Sequence, residues 1–150
     1  MKRIILSIVA VVCVNIGLAQ ERFTIGDLTY EVIDSNRVEV DRCSTSATAV
    51  VIPDSVQLAG KIYTVSRIGE YAFSHLNRLV SVHIPGTVTS IGNWAFNSSR
   101  NLYSITIPNS VDSIGIYAFD LVYNVIYNGA AVVSPWGASN MNGSVEDGFV

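Results

Sequence analysis

The chain has 150 residues, 49% of them hydrophobic and 14% charged, with a formal charge of −3 and two cysteines. An acidic balance disfavours nucleic acid as a partner, and two cysteines are too few for a disulfide-built scaffold. The length suits one domain with its own packed core.

Lys2 and Arg3 precede an uncharged run from Ile4 to Leu18, and Gly17-Leu18-Ala19 supplies small residues where a signal peptidase cuts. The run is shorter than the roughly 20 apolar residues of a membrane-crossing helix. Residues 1–19 are therefore expected to be a cleaved signal peptide, with an uncleaved anchor as the alternative. Cys13 follows Val12 deep in the apolar run and does not fit a lipoprotein signal. Either way, the remaining chain faces the outside of the cell. It keeps seven Lys and Arg against twelve acids, a formal charge of −5, and Cys43 is its one cysteine. Packing must then supply its stability. Cys43 is either a buried small apolar residue or half of an intermolecular bridge.

Residues 20–46 read as antiparallel strands, FTIGDLTYEVID then RVEV, with turns at Gly26-Asp27 and Ser35-Asn36. This hairpin is expected to form an N-terminal cap, keeping apolar side chains and strand edges from associating.

From residue 47 the chain repeats itself. Ile68 to Ser90 and Ile91 to Ser113 share ten of 23 aligned residues, where unrelated segments would share about one or two. A third copy opens at Ile114, and an earlier half-copy, ATAVVIPDSV, ends at Val56. Residues 57–67 read as an insertion, with a turn at Ala59-Gly60 and a strand from Lys61 to Val65. A period of 20 to 29 with the frame Leu-x-x-Leu-x-Leu marks a leucine-rich repeat. The frame stands four times: Ala47, Val50, Ile52; Leu79, Val82, Ile84; Leu102, Ile105, Ile107; and Val122, Val125, Tyr127.

The pattern predicts a mainly β solenoid of about 23-residue coils, with short turns or helices and a parallel β ladder. Apolar residues that recur at one spacing, including Phe73, Phe96 and Phe119, should stack inside it. The proline after each strand ends it at a fixed place. Gly69, Gly92 and Gly115 are expected to permit a tight corner before each Ala-Phe pair.

In-phase recurrence of IGxxAF and IPxSV from about Ala47 to Asn140 resembles the BspA-like leucine-rich-repeat family of bacterial surface and secreted proteins. Such repeats usually carry Asn or Cys where this chain has Ser55, Thr87 and Ser110, so a hydroxyl ladder is expected in place of an amide one. Asn124 to Ser139 looks like a shortened terminal coil whose open end Trp136 would cover. The tail 141–150 stops without a cap or sorting signal, which leaves a truncated chain and a complete one equally open.

Catalytic motifs are missing: there is no GxSxG, HExxH, P-loop or GxGxxG. His75 and His83 fall in different parts of the coil, and neither a metal nor a cofactor is expected. Glu146-Asp147 reads as a solvated tail rather than a calcium loop. Function must come from the outward side of the ladder, where no charged residue stands. Val80, His83, Tyr103, Thr106, Tyr123 and Ile126 are the candidate ligand-binding residues, since aromatic and β-branched side chains on a rigid sheet suit protein recognition. They could equally do no more than favour strand formation. The resemblance implies adhesion to extracellular proteins such as fibronectin or fibrinogen. The alternative is a structural module that stacks on other copies.

Overall fold

A computed structural model describes residues 21–127. The expected signal peptide, the Trp136 coil and the tail 141–150 lie outside the described residues. Eleven strands are present among them and no helix.

The chain opens as an antiparallel meander, β1 (Arg22–Ile25), β2 (Leu28–Val32) and β3 (Arg37–Cys43). Gly26 turns the first corner at φ 60°. Asp34 closes the second by accepting the backbone N–H groups of Asn36 and Arg37, both at 2.9 Å. Alternation along β3 buries Val38 and Val40, and a register shift that skips Asp41 turns Cys43 inward as well.

After β4 (Ala49–Val51) comes the hairpin of β5 (Ser55–Leu58) and β6 (Lys61–Ile68). Ala59 and Gly60 both take positive φ, 48° and 83°, the backbone that matches the twist of a two-residue hairpin. β6 then serves three partners. Its first half pairs with β5, its last two residues pair with β8 (Ser90–Ile91), and β3 lies parallel along its other edge. The residues read as an insertion thus supply the central strand of a sheet that continues through β8 to β10 (Ser113–Ile114).

The Leu-x-x-Leu-x-Leu segments form the opposite wall. β4 runs parallel to β7 (Ser81–His83), and β9 (Ser104–Ile107) runs parallel to β11 (Asn124–Tyr127). The ladder is in two pieces, because no strand pairing joins β7 to β9. Leu79, Ile84, Leu102, Ile105, Ile107 and Val125 point inward, each at most 4% exposed.

Between the two walls the aromatic spine forms as expected. Phe73 and Phe96 stack with centroids 4.9 Å apart, and Phe96 and Phe119 at 5.3 Å. All three are buried. The return path carries its own ladder. Tyr71, Phe73 and His75 donate their N–H groups to Asn93, Ala95 and Asn97 of the next coil at 3.1, 2.7 and 2.8 Å, and Trp94, Phe96 and Ser98 repeat this toward Ile116, Ala118 and Asp120. Tyr71, His75, Trp94, Ser98, Tyr117 and Leu121 all have positive φ. A left-handed residue costs roughly 1–2 kcal/mol; at Tyr71, His75, Trp94 and Ser98 the N–H bond donated to the neighbouring coil offsets part of that cost.

The glycines have a different reason from the expected one. None of Gly69, Gly92 and Gly115 is left-handed. A Cβ on Gly92 would lie 2.7 Å from the Glu70 nitrogen and 2.8 Å from the Gly69 carbonyl carbon. Glycine is required because backbones of successive coils nearly touch, with corner flexibility playing no part.

Candidate functional site

Strand alternation that buries Val82, Ile105 and Val125 sends their neighbours outward. His83 and Thr106 are exposed on that account, whereas Val80, Tyr103 and Tyr123, 58%, 62% and 54% exposed, stand one residue ahead of their strands, outside the alternation. Ile126 is half-buried. The parallel register sets Asn124 beside Ser104 and Ile126 beside Thr106. Tyr103 and Tyr123, each one residue before its strand, then stack at 4.6 Å with planes 19° apart. The split ladder keeps His83 out of that pairing; its strand partner is Val51, itself 73% exposed. The six candidates thus divide into a β9/β11 group containing Tyr103, Thr106, Tyr123 and Ile126, and a β7 group containing Val80 and His83.

Two of the three hydroxyls expected to form a ladder, Thr87 and Ser110, tie their coil to the backbone of the preceding one. Ser110 Oγ donates to the Val88 carbonyl at 2.7 Å, and Thr87 Oγ1 to the Asp54 carbonyl at 3.5 Å. A stronger tie comes from a residue outside that expectation: buried Ser99 donates to the Phe73 carbonyl at 2.5 Å and accepts from the Leu76 N–H at 3.1 Å. It fastens the turns of two coils together just before their strands begin.

A second aromatic row stands where sequence reasoning placed none. Tyr71, Trp94 and Tyr117 stack at 5.2 and 6.0 Å along the return path, with Tyr71 51% exposed. The signal was available, since all three occupy the same position of IGx-aromatic-AF. In such a stack the ring faces cover one another and mainly edges meet solvent.

Chemistry-bearing groups gather in one other place. Glu31, Glu39 and Asp41, on β2 and β3, offer carboxylate oxygens within 4.8 Å of one another. Arg22 occupies this cluster, donating to Glu31 at 2.6 Å and lying 3.4 Å from Asp41. Burial pushes the Glu39 carboxyl up, Arg67 opposes that shift, and the neighbouring acids add to it. The arrangement is an ion-pair network on the face of a sheet. His75 and His83 are not brought together, one lying on a turn and the other on β7. Cys43 is 3% exposed, and burial raises its thiol to about 11, the behaviour of a small core residue.

Among the described residues no helix is long and apolar enough to cross a membrane. Residues 43–128 match the BspA-type leucine-rich-repeat region, a model of six copies. Comparison with curated proteins finds no match. Among solved structures, a leucine-rich cell surface protein from Faecalibacterium prausnitzii A2-165 is similar, with 25% identity and a TM-score of 0.53 over 71% of this chain. The chain spans 32% of that protein. A leucine-rich repeat protein from Bacteroides capillosus ATCC 29799 matches 72% of this chain and 99% of its own length, at 25% identity and a TM-score of 0.54. One from Bacteroides ovatus ATCC 8483 shares the fold at 23% identity and a TM-score of 0.50, over 72% of this chain and 44% of its own.

Proposed function

Because the chain belongs to the BspA-type leucine-rich-repeat family, we propose that it is an exported, non-catalytic binding module that captures an extracellular protein on the outer face of its β ladder. The observation that carries this reading is the exposed Tyr103–Tyr123 stack. Large amphipathic rings already stacked on each other at the start of their strands lose little freedom when a partner covers them, so most of the contact energy is kept. Val80, His83, Thr106 and Ile126 extend the contact surface on either side. The similar F. prausnitzii protein is described as a cell surface protein, which agrees with the leader-like residues 1–19. Proteins of the host matrix, such as fibronectin and fibrinogen, are the proposed ligands. The ladder consists of two pieces of two strands each, with paired strands only about 4.8 Å apart, so the surface is narrow and affinity should be modest.

A pull-down from extracellular matrix with residues 20–150 as bait tests the assignment. Recovery of a matrix protein that binds the purified chain directly is the expected result. Recovery of nothing but this chain itself would favour the second reading, a structural module that stacks on other copies. That reading draws support from β4, which among the described residues pairs with β7 alone and borders a groove of about 270 Å³ beside Ile25, Leu28 and Pro53.

A further inference from the structure

Among the described residues, four of the seven basic side chains already face a partner. Arg22 pairs with Glu31 and Asp41, Arg37 lies 2.7 Å from Asp34, and Arg67 lies 3.8 Å from Glu39. Lys61 sits 4.9 Å over the Tyr63 ring. Arg42 on β3, Arg78 and Arg100 are exposed and have no ion-pair partner among the described residues. The last two stand on adjoining coils: Asn101 donates its side-chain amide to the Asn77 carbonyl, and each arginine is the sequence neighbour of one member of that pair. Both stand where the chain enters the ladder, Arg78 two residues before Val80 and Arg100 three before Tyr103. The carboxylate of Asp120, on the following coil, is held by the Asn97 amide at 2.9 Å.

Resting on the binding-face reading above, we infer that the partner segment docked on this face is an acidic peptide, whose carboxylates meet Arg78 and Arg100 while its apolar or aromatic side chains lie over Val80 and the Tyr103–Tyr123 stack. An uncharged ribbon with two free guanidinium groups at one edge is complementary to a segment whose acids lie at one end. A polyanionic glycan would match the arginines and leave the rings without apolar contact.

Two synthetic peptides test this with residues 20–150: alternating Tyr and Val headed by two Glu, and its twin headed by two Gln. The acidic peptide should bind about three- to tenfold more tightly at low salt, the range expected of two exposed charge pairs. That preference should vanish in R78A/R100A and in about 1 M salt, where screening acts within about 3 Å. Y103A/Y123A should weaken both peptides. Equal binding of the twins, still lost in Y103A/Y123A, would overturn the acidic partner and leave the binding face standing. Binding of neither peptide also overturns the inference, and the matrix pull-down then decides the face separately. Heparin fragments binding through the arginines with no tyrosine dependence would overturn it as well.

Discussion

Gly92 and Gly69 sit one coil apart with so little room that a Cβ on Gly92 would lie 2.8 Å from the carbonyl carbon of Gly69. The atom that would have to yield belongs to backbone, which cannot rotate away. Gly92→Ala should therefore cost about 1–3 kcal/mol by overpacking. A Cβ on Gly86 meets nothing within 4 Å, and Gly86→Ala should change stability by less than about 0.5 kcal/mol. Urea midpoints of the two variants check the contrast, and equal midpoints would contradict the close-approach explanation.

Phe96 is the middle ring of the spine, with Phe73 at 4.9 Å and Phe119 at 5.3 Å. Removing it empties both contacts. Phe96→Ala should cost about 3–5 kcal/mol, a large part of the ~5–15 kcal/mol that holds a domain folded. Circular dichroism during urea titration would show a much earlier transition. A near-native midpoint would mean the coils do not depend on that stack.

Much of this architecture can be read from spacing alone. Phe73, Phe96 and Phe119 recur every 23 residues, and one phase implies one environment, so the spine and the Leu-x-x-Leu-x-Leu strands follow from the letters. The sheet made by β8 and β10 does not, because each strand has two residues and alternation cannot be seen over so short a stretch. The role of Gly92 was hidden for a related reason: the atoms that demand glycine belong to Glu70 and Gly69, a full coil away. Nor could spacing reveal that the ladder breaks between β7 and β9, which separates Val80 and His83 from the tyrosine pair. That Arg78 and Arg100 lack an ion-pair partner among the described residues depends on where the fold places the acids, which spacing does not show.

Cys43 is 3% exposed, and burial raises its thiol to about 11. Reaction requires thiolate and access, and the folded chain offers little of either. Alkylation by iodoacetamide near pH 8 should be slow in buffer and rapid in denaturant, and non-reducing electrophoresis of folded protein should show monomer. Fast labelling in buffer, or a disulfide-linked dimer, would restore the intermolecular bridge.

The same burial gives an alkaline limit. The Tyr30 hydroxyl is pushed up to about 12 from 10.0 and the Cys43 thiol to about 11 from 9.0, chiefly by desolvation. Above about pH 9 the unfolded chain therefore releases protons that the folded chain still holds. Stability from these neutral groups is complete below pH 9 and falls as pH rises through 11 and 12. In Cys43→Ala the decline should begin nearer pH 10, leaving Tyr30 as the remaining contributor. Urea midpoints measured across this range check it; a wild-type midpoint that stays flat from pH 8 to 11 would show that neither group is desolvated.

The most direct test separates the face that binds from the core that folds. Tyr103→Ala/Tyr123→Ala removes two rings that are 62% and 54% exposed, so its unfolding midpoint should stay within about 1 kcal/mol of wild type. Its affinity for the recovered matrix protein, measured by surface plasmon resonance beside the wild-type chain, should fall at least about tenfold. Undiminished capture by the folded double variant would contradict the central claim that this tyrosine-bearing side of the ladder is where the partner sits.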